Sequence, residues 1–172
     1  MSEASENEES PAKKRRGVGN AVSKMKVARL KGEEFVTTSG VLVEQKTTGP
    51  ECDCRNKCTS NFTEEQKLKI VSTVYSGRPK NERDTYLIGL IDRCDVQRHR
   101  SISPHSKQLS SSFKYNTVVD GKKFEVCRKA YLSLHAVTSK VVFRLTSILT
   151  KGEQPMDMRG RHGNHSKIPN EV

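Results

Sequence analysis

The sequence predicts a mainly α protein: a small helical domain with a helix-turn-helix and one short β-hairpin, flanked by disordered tails. Three observations carry that expectation. Apolar residues recur at helical spacing in four stretches between Thr63 and Leu149. An Asp120-Gly121 pair sits between two alternating runs, the dipeptide that most readily takes the positive φ angles of a tight hairpin. Only 33% of the 172 residues are apolar and 5% aromatic, with no Trp, too little apolar surface to order the whole chain against its conformational entropy. The expected layout is a disordered basic arm over 1–34, an extended Cys-containing segment over 35–62, a helical core over 63–150 and a flexible tail over 151–172.

The arm opens with four glutamates in its first nine residues and turns basic at Lys13, Lys14, Arg15 and Arg16. Such a cluster suits a nuclear-import signal or a phosphate-binding tail, and a solvating charged tail is the plainer reading. A net charge of +11, from 31 basic and 20 acidic residues, points to nucleic acid as partner. A membrane is the weaker option, because no apolar run approaches the ~18–20 residues of a span. "EFVTTSGVLVEQ", Glu34 to Gln45, has β-branched residues around Ser39-Gly40 and reads as a short edge hairpin or an extended approach to the cysteines.

Those cysteines lie in "GPECDCRNKCTSNFTEEQ", with Cys52, Cys54 and Cys58 inside seven residues. The N-terminus lacks the pattern of a secretory signal, so a reducing compartment is expected and a disulfide framework is not. Three thiols do not complete a tetrahedral zinc site. Thr63 then opens a helix with Gln66 placed for a capping box, and Leu68, Val71, Val74 and Tyr75 come at helical spacing up to Gly77 and Pro79. A second helix is expected from about Asn81, with Leu87, Leu90, Ile91 and Cys94 on its buried stripe, Cys94 being a core thiol. Residues 96–112 read as a serine-rich linker, and Lys114 to Val126 as the β-hairpin.

Directly after the hairpin comes "VCRKAYLSLHAVTSKVVFRLTSIL". Cys127, Ala130, Tyr131 and Leu134 share one helical face; His135, Ala136 and Val137 interrupt; Thr138 can cap a second helix carrying Val141, Val142, Leu145, Ile148 and Leu149. Two amphipathic helices joined by about three residues, with Val137 plugging the corner, make a helix-turn-helix whose second helix, 138–150, enters the major groove. The candidate DNA-contacting residues are Ser139, Lys140, Phe143 and Arg144 on that helix, with Arg128 and Lys129 before it. No acid lies among these charges, whereas an ordinary core pair mixes signs on its outer face. A glycine usually relaxes the turn; here Ala136 stands there.

"GEEFVTTSGVLVEQKTTGPECDCRNKCTSNFTEEQKLKI", "NERDTYLIGLI", "VCRKAYLSLHAVTSKVVFRL" and "DMRGRHGNHSKIP" together resemble the N-terminal part of an arthropod family of transposase-like proteins, which look like products of DNA transposons. The likeness runs from about Gly32 to the last residues. Family members continue into a ribonuclease-H-type integrase region with acidic metal ligands, which would begin where this chain ends at "KIPNEV". The resemblance therefore implies a DNA-binding head without its catalytic domain, not itself an enzyme, and either a truncated gene product or a domesticated fragment; with the basic cluster, a sequence-specific binder in the nucleus is expected. Asp84, Asp92, Asp95, Asp120 and Asp157 read as helix-face, turn or tail residues with no strand context, so no catalytic residue is assigned.

The resemblance also groups Cys52, Cys54, Cys58 and Cys127 as metal ligands, leaving Cys94 apart. Zinc on this tetrad and a reduced-thiol core are both open, since Cys-x-Cys is tighter than the usual ligand gap. His162 and His165 are substitute ligands in a glycine-rich tail, where Arg159-Gly160-Arg161 is a minor-groove arm or a solvated tail. The competing class is a nuclear protein–protein adaptor with a small, zinc-stabilised or thiol-filled helical core, delivered by the import machinery.

Overall fold

The computed structural model describes residues 16–96 and 111–157. Helix α1 (Arg16–Lys31) occupies much of the stretch expected to be a disordered arm. It stops at Gly32, whose φ of +67° and whose closeness to the Tyr75 ring, 2.9 Å from where a Cβ would stand, leave no place for a side chain. Strands β1 (Phe35–Val36) and β2 (Leu42–Val43) then pair antiparallel around the Ser39-Gly40 turn, the edge hairpin anticipated there.

The chain runs extended to the cysteine cluster, makes a 3-10 turn at Cys58–Asn61, and enters α2 (Glu64–Val74). Both halves of the capping box form: the Thr63 hydroxyl accepts from the Gln66 N–H at 3.3 Å, and the Thr63 N–H donates to the Gln66 side chain at 3.1 Å. The buried face differs from expectation. Leu68 is 61% exposed, and Lys67, Ile70, Val71 and Val74 face inward. Lys67 lays its methylene stem along the core and brings its ammonium to Glu64 at 2.7 Å. A lysine therefore holds a position that polarity alone assigns to the surface.

Helix α3 (Lys80–Ile88) is also shorter than the sequence suggests. Gly89 caps it, and the next residues form β3 (Ile91–Asp95), which pairs antiparallel with β4 (Ser111–Val119). Cys94 is thus a half-buried strand residue opposite Ser112, not a core thiol on a helix. Asp92 and Asp95 lie on the same strand, which corrects their placement outside any strand. Strand β4 turns through Asp120 (φ +50°) and Gly121 (φ +76°) into β5 (Lys122–Val126), the anticipated hairpin. Of the linker read over 96–112, residues 97–110 lie outside the described residues and 111–112 open β4.

Helices α4 (Arg128–Leu134) and α5 (Ser139–Lys151) complete the described elements. The architecture is mixed rather than mainly α: among the described residues, five α-helices accompany a β1-β2 ribbon and a three-stranded antiparallel sheet of order β3-β4-β5. One face of the sheet packs on α2 and α4, and α5 lies against α3 and the β3 edge. Val74, Leu87, Tyr131, Leu134, Val142 and Leu145 are all but fully buried between them. The Tyr131 hydroxyl, raised in pKa by burial, donates to the Leu87 carbonyl at 2.9 Å. No helix of the described residues is long and apolar enough to cross a membrane.

Candidate functional site

The residues from Cys52 to Cys58 form a tight knuckle. The Lys57 N–H returns to the Cys54 carbonyl at 2.9 Å, and Lys57 takes φ +41°, so the chain reverses within four residues and directs Cys58 back at Cys54. Thr59, 1% exposed, holds the other side: its hydroxyl accepts the Cys52 N–H at 3.0 Å and donates to the Cys52 Sγ at 3.6 Å. The fourth thiol comes from the end of the β4–β5 hairpin. Cys127 is the N-cap of α4, its Sγ accepting the Ala130 N–H at 3.3 Å.

These four sulfurs converge. Cys52 and Cys54 Sγ are 3.4 Å apart, Cys54 and Cys58 Sγ 3.5 Å, and all four lie within 4.8 Å of one another. None is in a disulfide, and Cys94 stands outside the group. A tetrahedron of sulfurs at ~2.3 Å from one centre has edges of ~3.8 Å, so the donor set and its spacing fit a tetrathiolate metal site. Burial tends to push the Cys52 thiol up, but hydrogen bonds from Thr59 and then Cys54 outweigh it and bring Cys52 to about 6. The Cys58 backbone N–H lowers Cys54, whereas burial raises Cys58 and takes Cys127 up to about 12. By themselves the four groups differ in acidity, with Cys52 the readiest to ionise and Cys127 the least; a divalent cation among them would favour the deprotonated form of all four.

Beside the cluster, Lys129 on α4 pairs with Asp53 at 2.7 Å, holding that carboxyl below its usual range. Helix α4 ends at His135, and the turn passes through Ala136 at φ +50°, the left-handed conformation that glycine adopts at least cost. Tyr75 fixes this corner, its hydroxyl donating to the Ala136 carbonyl at 2.8 Å. Val137 packs half-buried against the core. Thr138 occupies the N-cap of α5 with extended backbone, but its hydroxyl makes no capping bond. Val142 and Leu145 are buried, and Val141 and Leu149 pack at the core's margin.

The candidate DNA-contacting residues divide into two sets. Ser139, Lys140 and Phe143 point outward, Phe143 being 73% exposed, and Lys140 has no ion-pair partner among the described residues. Arg144 turns aside to Asp84 on α3 at 2.8 Å, where the carboxylate is 2% exposed. Arg128 remains exposed and donates to the Ser139 hydroxyl at 2.8 Å. Arg144 is therefore engaged in joining α5 to α3, and Asp84, its partner, carries no signal in the sequence beyond lying one turn from Lys80. His135, in the sequence only an interruption between two helices, is a second such residue. It is fully buried, with Nδ1 2.9 Å from the Tyr131 carbonyl, Nε2 without a partner, and its ring 4.3 Å from that of Tyr131.

A groove of about 1030 Å³ runs between the extended 42–53 stretch and the α4–α5 corner, with Leu42, Lys46, Leu132 and Val137 among its walls. Asp92 binds Lys123 and Asn116, each at 2.9 Å, and Asp120 binds Lys69. Lys13, Lys14 and Arg15, the Arg159-Gly160-Arg161 run, His162 and His165 lie outside the described residues; Arg16 is the first residue of α1. Comparison of the chain with protein-family models, with curated proteins and with solved structures finds no match.

Proposed function

We propose that this chain is the sequence-specific DNA-binding head of a transposon-derived protein, acting in the nucleus without catalysis of its own. The observation that carries the reading is the outer surface of the α4–α5 unit. Neither helix contains an acidic residue, and Ser139, Lys140 and Phe143 of α5 face solvent. Helix α5 enters the major groove, Lys140 donates to phosphate or to a guanine edge, and Arg128 holds Ser139 in place at the helix start. Zinc on Cys52, Cys54, Cys58 and Cys127 pins the start of α4 to the segment before α2, supplying folding energy to a thin core.

The test is a DNA titration at several salt concentrations. Lys140→Ala is the right variant, because replacing Arg144 would leave the buried Asp84 carboxylate with only Lys80, at 4.0 Å, and confound folding with binding. Weaker binding is expected, with the slope of log affinity against log salt reduced by about 1, one phosphate contact's worth of counterion release. Unchanged affinity and slope would remove α5 from the interface.

The adaptor reading has one observation in its favour. Val36, Val41 and Leu42, each more than half exposed, stand on the β1-β2 ribbon beside the groove. If a random-sequence duplex selection enriches no motif and binding vanishes at physiological salt, a protein partner on that ribbon is the better account.

A further inference from the structure

Phe143 is the most exposed large apolar side chain of the described residues, at 73%. An exposed apolar residue needs no explanation by itself. Its surroundings supply one. On a helix its neighbours lie three and four positions away; of these Ser139, Lys140 and Ser147 are exposed, and Thr146 is buried. None is apolar, and α5 has no acid anywhere along it. A protein-binding hot spot sits in a contiguous apolar cluster ringed by polar contacts. A lone aromatic in a hydroxyl-bearing, cationic stripe is a different chemistry. It matches the edge of a base pair, where donors and acceptors alternate with a single apolar feature, the thymine 5-methyl group. The charge agrees, since the chain carries +11 overall and this face presents Lys140 without a counter-ion among the described residues.

We propose that Phe143 packs on the 5-methyl group of one thymine in the major groove and so fixes that position of the site. The proposal rests on the DNA-binding reading above and names the base that reading leaves open. Phe143 can do this because nothing in the fold uses its ring: Val142 and Leu145, on either side of it, carry the packing of α5.

The experiment starts from a random-duplex selection with the full chain, then replaces each thymine of the enriched site by uracil, which removes the methyl group and nothing else. One replacement is expected to weaken binding roughly fourfold, the transfer value of one methyl-sized group. The Phe143→Ser chain, whose fold the exposed position leaves intact, should bind the thymine and uracil duplexes equally while keeping its dependence on Lys140. A selected motif with equal binding at every thymine and uracil overturns the assignment to Phe143 and leaves DNA binding standing. Discrimination that survives in Phe143→Ser also overturns it. A selection that enriches nothing removes both readings.

Discussion

His135 is buried with one ring nitrogen bonded to the Tyr131 carbonyl and the other bare, so its neutral form is the one the fold accepts. Burial, offset in part by the Tyr131 hydrogen bond, lowers its pKa from 6.5 to about 4. The unfolded chain therefore binds the proton more readily between those values, and stability falls as pH drops through that window. From pH 7 to pH 5 the loss from this group is roughly 2 kcal/mol. Urea midpoints at the two pH values should show it, and His135→Asn should flatten the slope; an unchanged slope would place the sensitive group elsewhere. Ala136, next in the chain, shows how much of this corner is legible. The missing glycine of the turn is visible in the sequence, and the structure keeps the left-handed bend regardless. What holds it, the Tyr75 hydroxyl from the end of α2, is a contact across 61 positions that no local pattern encodes.

Elements are legible in proportion to how local their causes are. The capping box at Thr63, the Asp120-Gly121 hairpin and the two amphipathic helices after Cys127 each depend on residues within a few positions of one another, and each formed. The α3–β3 boundary has a distant cause. Leu87, Leu90, Ile91 and Cys94 fit a helical stripe, yet Gly89 ends the helix and β4, from beyond residue 110, recruits Ile91–Asp95 as a strand. The partner strand decides this, and period alone cannot. The α3–α5 contact is likewise non-local: Asp84 and Arg144 face each other across the helices, with the Asp84 Oδ1 left unpartnered. Arg144→Ala should cost about 2–3 kcal/mol, below the ~3–5 kcal/mol for breaking a fully buried pair, because the arginine is part-exposed and Lys80 stays 4.0 Å from the carboxylate. Asp84→Asn in that background should recover part of the loss. Equal denaturant midpoints for wild type and Arg144→Ala would return the guanidinium to the DNA-facing set.

On the scale of the whole molecule, the four-thiol cluster is the joint between halves of the chain. It joins the extended segment after β2, the turn before α2 and the start of α4 at one point. In the sequence the grouping of these four cysteines rests on a resemblance; the convergence itself depends on β5 delivering Cys127 to the knuckle, which no spacing displays. If zinc occupies it, a chelator should lower melting temperature and DNA affinity together, since binding to the folded state alone stabilises that state. Elemental analysis should find one zinc per chain, and Cys127→Ser should lose it. Folded protein without zinc would leave the cluster as packed thiols.

The cluster also constrains how the chain is made. Cys52, Cys54 and Cys58 emerge together, but Cys127 comes about 70 residues later. At ~5–20 residues per second the ribosome takes roughly 4–14 s to supply it. For that interval the nascent chain presents three thiols within seven residues and no fourth partner. Completion of the four-thiol cluster, unlike the local turn of the knuckle, is thus a late event. It waits until the sheet that carries Cys127 has been synthesised, and so it records that the segment between has been completed.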